Sequence, residues 1–145
     1  MTASSIPLPD TSDPSATVRS YIDAFNRGDS EAMSKLCADP MSILDGMAPH
    51  VWHGSTSTAD WYREVLIEGE HLGASEYNVE LGDVKHNNIT GENAYVVLPT
   101  TMRFKLQGKK VTQTGAFFTV ALRKVGEDWL ISLWAWTKGT AAIEP

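Results

Sequence analysis

The sequence has few of the features that mark secreted or membrane-spanning proteins. Cys37 is the only cysteine among 145 residues, so no disulfide can form within the chain, as is typical of a reducing cytoplasm. No apolar run approaches the roughly 18 residues that a transmembrane helix requires. Residues 1–17 lack the apolar stretch of a signal peptide. We therefore predict a cytoplasmic protein that neither crosses nor binds a membrane.

Positive charge is also scarce. The chain has 12 Lys and Arg against 18 Asp and Glu, a formal net charge of -6, and basic residues occur at most in pairs such as Lys109-Lys110. This balance disfavours nucleic acids and anionic membranes as partners. The composition, 42% hydrophobic and 21% charged, is that of a globular protein of one domain.

Proline and serine are concentrated at the beginning of the chain, and residues 1–12 are predicted to form a flexible arm. A single domain is expected over residues 13–140. Asp13 or Ser12 should cap a first helix, which Gly28 ends. The inner face of this helix is the apolar stripe Val18, Tyr21, Ile22 and Phe25.

Two more helices and a short strand are predicted next. The expected bounds are a helix from residue 29 or 30 to Pro40, a strand over 41–45, a loop over 46–54 and a helix over 58–68. Cys37 is expected on the inner face of the second helix. Ser57 and Asp60 should form a capping box for the third.

Everything after Gly73 is predicted to be β-structure, because apolar residues alternate between turn signals. The strands are expected over 77–81, 94–106, 110–124 and 129–138, with turns at 87–88, 91–92, 106–108 and 125–128. Strands joined by tight turns form an antiparallel meander. Helices first and a sheet second predict an α+β fold.

Three stretches resemble a known family. They are residues 21–29 (YIDAFNRGD), Trp52-His53-Gly54 with Trp61-Tyr62-Arg63, and residues 117–132 around the last hairpin. On these residues the chain, over about 15–138, resembles the NTF2-like superfamily, which includes ketosteroid isomerase and the SnoaL-like polyketide cyclases. The resemblance implies a cone in which three N-terminal helices pack on a strongly curved antiparallel sheet. It also implies a homodimer formed through the outer face of that sheet.

Ketosteroid isomerase gives the sharpest match within this superfamily. Tyr21 falls on its oxyanion-hole tyrosine, Asp45 on its general base, His53 on a histidine before the third helix and Tyr62 on a supporting tyrosine. The isomerase carries a second acid at the place of Val120, and residues 116–122 of this chain contain no carboxylic acid.

Several roles stay open at the level of sequence. Asp45 is either a base in an apolar cavity or a residue bonded to the turn after its strand. Tyr21 either contacts a ligand or is a core tyrosine. His50 and His53 are spaced so that a metal site with Asp45 is conceivable, but no further ligand cluster follows, and we predict no metal. Trp134 and Trp136 share one sheet face, which is either the cavity or the dimer interface.

The resemblance implies a pocket for a small, mostly apolar organic ligand. The residues expected to contact it are Trp61, Tyr62, His53, Phe118 and Val120. The implied function is a cofactor-independent proton transfer of the isomerase, cyclase or dehydratase type, with Asp45 as base and Tyr21 as oxyanion donor. The alternative is a non-catalytic ligand-binding or dimerisation module of the same fold.

Overall fold

The computed structural model describes residues 9–144. Most of the predicted arm therefore lies outside the described residues. Three helices precede most of the sheet: α1 (Pro14–Arg27), α2 (Ser30–Lys35) and α3 (Ser57–Leu72). The strands are β1 (Cys37–Leu44), β2 (Val51–Gly54), β3 (Ala74–Leu81), β4 (His86–Thr90), β5 (Asn93–Leu106), β6 (Lys109–Val125), β7 (Asp128–Thr137) and β8 (Thr140–Ile143).

One curved, open sheet with the order β2-β1-β7-β6-β5-β3 forms the wall of the cone. Strand β4 pairs with β5, and β8 pairs with β6. The pairings are antiparallel except for β1 and β7, which run parallel. Register shifts interrupt the pairing of β5 with β6 and of β6 with β7, and such bulges bend strands. The α+β cone of the NTF2-like fold is thus confirmed.

The ends of α1 agree with the sequence. Asp13 is the N-cap and accepts a hydrogen bond from the Ser15 N–H at 3.0 Å. Gly28 ends the helix with a φ of 73°, a left-handed conformation that glycine adopts without steric cost. The stripe beginning at Val18 and Tyr21 is buried against the sheet, which fixes the face that α1 turns towards the interior.

The predicted second helix was wrong at its end. Helix α2 stops at Lys35, and Cys37 begins β1 instead of lying on a helix. Pro40 lies inside β1, where the pairing with β7 shifts register between Cys37 and Ser42. Such an irregularity tolerates proline because no ladder hydrogen bond is needed there.

Three further local predictions were wrong. The loop expected over 46–54 contains β2, and Asn87-Asn88 lie in β4, so that the turn is at residues 91–92 alone. The capping box is absent, because Thr56 is the N-cap of α3 and the Ser57 hydroxyl donates to the Met41 carbonyl. In all three cases a long-range pairing decided the conformation.

The register assigns the two faces of the sheet. Val120 lies opposite Trp134, and Phe118 lies opposite Trp136, and these side chains point towards the helices. The neighbouring residues Leu133 and Tyr95 point outwards and are half exposed. Within residues 9–144 no helix is both long and apolar enough to cross a bilayer.

Candidate active site

A cavity of about 400 Å³ lies between α1, α3 and the inner face of the sheet. Both Tyr21 and Asp45 line it, although they come from different elements. Most other lining residues are apolar or aromatic: Ile22, Phe25, Met33, Met47, Trp61, Val65, Leu72, Tyr77, Val79, Met102, Phe118, Trp134 and Trp136. A concave apolar site with few polar groups is typical of a binding site for a small organic molecule.

Asp45 follows the last residue of β1, and its carboxylate is fixed by two donors. The Gly46 N–H donates to Oδ1 at 2.8 Å, and the Trp61 indole N–H donates to Oδ2 at 2.8 Å. The backbone N–H of Asp45 donates to the His50 carbonyl at 2.9 Å, which closes the turn between β1 and β2. An ionised carboxylate has about four acceptor positions, so the Asp45 carboxylate can still interact with a ligand through the positions that these two donors leave open.

Tyr21 presents its hydroxyl at the inner face of α1, where the side chain is 1% exposed. The Trp134 indole N–H donates to this oxygen at 2.8 Å, and the Thr58 hydroxyl lies 2.9 Å away. Burial, followed by the charge of Cys37, raises the pKa of Tyr21 far above its ordinary value. The phenol is therefore a neutral hydrogen-bond donor at all ordinary pH values.

The direction of the bond between Tyr21 and Thr58 determines what the phenol can do. Apart from Tyr21, the hydrogen-bond partners of the Thr58 hydroxyl within residues 9–144 are two sulfur atoms, Cys37 Sγ at 3.4 Å and Met41 Sδ at 4.0 Å, which are weak acceptors. If Thr58 donates to Tyr21, the phenolic proton is free to bond a ligand. If Tyr21 donates to Thr58, both of its bonds stay within the protein.

Aromatic rings form the wall around these two groups. Trp61 and Trp134 meet edge to face with centroids 5.0 Å apart. Phe118 lies 5.3 Å from Trp134 and 6.0 Å from Trp136. The face shared by Trp134 and Trp136 is therefore the cavity face, which decides between the two positions left open by the sequence.

Three polar residues at the cavity were not predicted. Lys138 runs its aliphatic stem over Gly46, where any added side chain would collide with it. Gln113 accepts a hydrogen bond from the Trp136 indole at 3.4 Å, and Glu68 comes from α3. Lys138 follows β7, and Gln113 pairs with β8. No sequence pattern indicated β8, so no available signal placed either residue at the cavity.

Four other candidate residues lie outside the cavity lining. The ring of His53 is exposed and hydrogen-bonded to the Ser42 hydroxyl, and His50 Nδ1 bonds the Asp45 carbonyl oxygen at 3.0 Å. Tyr62 packs behind Phe25 at a centroid distance of 6.1 Å. Val120 is 0% exposed in the core. No cluster of three or more His, Cys, Asp and Glu residues suited to a metal ion occurs within residues 9–144.

Comparison with solved structures shows the same fold at low sequence identity. A hexachlorocyclohexane dehydrochlorinase, LinA-type3, from Novosphingobium barchaimii superposes with a TM-score of 0.75 at 7% identity, covering 90% of this chain and 89% of that one. A ketosteroid isomerase-like protein from Erwinia carotovora gives 0.66 at 18%, covering 86% and 92%. A proposed dehydratase of the NTF2-like family from Streptomyces avermitilis gives 0.70 at 19%, covering 87% and 94%.

None of the curated proteins compared matches the sequence. A family match covers most of the chain, because residues 15–134 match the SnoaL-like domain. Together with the cone, this match shows that the chain belongs to the SnoaL-like family within the NTF2-like superfamily.

Proposed function

We propose that the protein is a cofactor-independent proton-transfer enzyme acting on a small, mostly apolar carbonyl compound. The observation that carries the proposal is that Asp45 and Tyr21, which come from different elements, line one apolar cavity. A base beside a donor for a developing oxyanion is the minimum needed to remove a proton next to a carbonyl. No cofactor is required, because the chemistry is proton transfer alone.

In the proposed reaction Asp45 removes a proton from the carbon next to the carbonyl. The electron pair of the broken C–H bond forms a carbon–carbon double bond, and the carbonyl oxygen becomes an enolate oxygen. Tyr21 donates its phenolic proton in a hydrogen bond to that oxygen. If the substrate carries a β,γ double bond, the intermediate is a dienolate that takes the proton back at its γ-carbon, which is isomerisation. If the substrate carries a leaving group on the β-carbon, the enolate expels that group together with its bonding electron pair, which is elimination.

Both groups are held in place before a substrate arrives. Trp61 and the Gly46 N–H restrain the carboxylate, and Trp134 restrains the phenol. When Trp134 and Thr58 both donate to the Tyr21 oxygen, they make its proton a stronger donor, because hydrogen bonds in a chain polarise one another. Such fixed donors need no reorganisation during the reaction.

The names of the structural relatives are compatible with this chemistry. They describe a dehydrochlorinase, an isomerase-like protein and a proposed dehydratase. Elimination of HCl, isomerisation and elimination of water all require that a proton leave carbon. At these identities the relatives share the fold with this chain, and the shared reaction step is part of the proposal.

Ligand binding without catalysis is the second candidate. Both hydrogen-bond partners of the Tyr21 hydroxyl are protein groups, and the acid expected near Val120 is absent from residues 116–122. A module that only binds would use the same apolar walls. It would need neither a base nor a free phenolic proton.

Deuterium exchange separates the two candidates without knowledge of the natural substrate. A panel of small cyclic and linear ketones is incubated with the protein in deuterated water, and exchange next to the carbonyl is followed by NMR. The enzyme proposal predicts exchange of at least one ketone above the buffer rate. Ketones that bind, as detected by tryptophan fluorescence, but never exchange would show that the protein is a binding module.

We also propose that the outer sheet face joins two copies of the chain. Leu44, Tyr95, Phe117 and Leu133 expose between 39% and 52% of their surface on strands of that face, a larger apolar area than isolated exposed residues provide. Leu133→Glu should therefore convert a dimer to a monomer in sedimentation analysis. Leu66→Glu, at an exposed leucine of α3, is the control. A wild-type monomer would contradict the proposal.

A further inference from the structure

A second hollow of about 560 Å³ lies next to the cavity, between the end of α1, the second half of α3 and β3. The residues that line it and not the cavity include Asn26, Tyr62, Leu66, Ala74 and Ser75. Phe25, Val65 and Tyr77 line both spaces. These three side chains, the partition, therefore separate the cavity from the hollow.

A β-bulge places Tyr77 in the partition. Ser75 pairs with Lys105 and Asn78 with Arg103, so that Glu76 and Tyr77 together lie opposite one residue of β5. Glu76 has a φ of 57°, a left-handed conformation that is uncommon for a residue other than glycine. A bulge redirects the side chain beside it, and here that side chain is the Tyr77 ring.

The ring of Tyr77 reaches from the sheet to α3. It stacks on Phe104 at a centroid distance of 5.5 Å and lies 6.5 Å from Phe25. Its hydroxyl lies above Gly69 of α3, since a Cβ at that glycine would be 3.4 Å from the phenol oxygen. Tyr77 thus closes the gap between β3 and α3.

Tyr77 is the member of the partition that can be removed with least damage to the fold. Phe25 and Val65 are each 9% exposed and belong to the core, whereas Tyr77 is only partly buried. Burial, with a smaller contribution from Glu68, raises the pKa of Tyr77, so the ring remains an uncharged wall for an apolar ligand.

We propose that Tyr77 is a specificity-determining residue that limits the length of the ligand, and that the hollow beyond it is a potential extension of the binding site. The ligand part concerned is the apolar end of the molecule, opposite the carbonyl. The inference rests on the proposed function only in placing that carbonyl near Asp45 and Tyr21. A chain that fills the cavity ends against the Tyr77 ring.

The test is the affinity of methyl ketones of increasing chain length, measured by fluorescence of the tryptophans that line the cavity. Each additional buried methylene should strengthen binding about fourfold until the chain reaches the partition. For wild type the affinity should then stop rising with chain length. For Tyr77→Ala the affinity should continue to rise over several further carbons. Tyr77→Val replaces the alanine variant if that variant folds poorly.

Two controls and one second variant make the test specific. Tyr77→Phe keeps the ring, and Val125→Ala truncates an exposed apolar side chain of β6 outside both spaces, so both variants should match wild type. Adding Ser75→Trp to Tyr77→Ala fills the hollow and should restore the short limit. The proposal is overturned if Tyr77→Ala stops at the wild-type length, or if Ser75→Trp leaves the longer limit unchanged.

Binding is the readout, so the outcome is independent of catalysis. The same length series in the Asp45→Asn background should give the same limits. A protein without deuterium exchange but with a length limit set by Tyr77 would refute the enzyme proposal and support this inference. Deuterium exchange combined with an unchanged length limit in Tyr77→Ala would support the enzyme proposal and refute this inference.

Discussion

The indole rings of Trp61 and Trp134 meet edge to face at 5.0 Å, and each donates its N–H to a different polar group of the cavity. Trp61 bonds Asp45, and Trp134 bonds Tyr21. The aromatic pair therefore connects the proposed base and the proposed oxyanion donor through one packed unit. Edge-to-face contact is favourable beyond area burial, so each ring also restrains the orientation of the other.

The first prediction concerns Trp61. Trp61→Phe removes the donor to Asp45 and retains an aromatic ring. A hydrogen bond to a charged group contributes roughly 1.5–3 kcal/mol, and water can replace part of it at this half-buried carboxylate. We expect the rate of deuterium exchange into the ketone to fall about tenfold, while the affinity for the ketone stays nearly unchanged. Trp52→Phe is the control, because Trp52 is buried outside the cavity lining. Equal rates in the two variants would argue against a positioning role.

The second prediction concerns the hydroxyl of Tyr21. Tyr21→Phe leaves the Trp134 N–H and the Thr58 hydroxyl without their shared partner in a buried site. An unpaired buried group costs about 1–3 kcal/mol, and urea unfolding should show a loss of this size. Thr58→Val removes only one partner and should cost less. A Tyr21→Phe protein as stable as wild type would show that the network contributes nothing to folding.

The third prediction is the loss of stability at high pH. Burial raises the pKa of the Cys37 thiol from 9.0 to about 11. Between these values the unfolded thiol ionises while the folded thiol keeps its proton, so the unfolded state binds fewer protons. The contribution of Cys37 to the free energy of unfolding should be constant well below pH 9 and should then fall by at most about 1.4 kcal/mol per pH unit. Tyr21 adds a second loss above its ordinary pKa of 10.0.

Cys37→Ala checks the origin of this dependence by chemical unfolding at several pH values. The variant should lose the decline between pH 9 and 10 and retain the decline that begins where unfolded tyrosine ionises. If the free energy of unfolding of Cys37→Ala fell between pH 9 and 10 as steeply as that of wild type, the first decline would have to come from another group.

Local signals in the sequence were sufficient for the frame of the site. The caps Asp13 and Gly28 fix the length of α1, and the 3.6-residue period places Tyr21 on its inner face. Turns at residues 107–108 and 126–127 fix the hairpins, so that alternation puts Phe118 and Trp134 on one sheet face. These features depend on neighbouring residues alone.

Other features depend on contacts between distant parts of the chain. Trp61 and Tyr62 are adjacent on α3, and the packing of α3 against the sheet decides that Trp61 lines the cavity while Tyr62 packs behind Phe25. Lys138 lines the cavity, and the next residue, Gly139, lies so close to the backbone of Thr114 and Ala116 that a Cβ there would collide with it. Neither arrangement has a signal in the local sequence.

The most direct measurement compares ketone binding and deuterium exchange in wild type and Asp45→Asn. The amide keeps the size of the carboxylate but is no base, and a general base contributes typically about 10²–10⁴ in rate. We predict that exchange falls by at least about a hundredfold while ketone affinity changes little. The matched control is Asp83→Asn, at an exposed aspartate outside the cavity lining, and it should behave as wild type. Exchange at the wild-type rate in Asp45→Asn would contradict the assignment of Asp45 as the base.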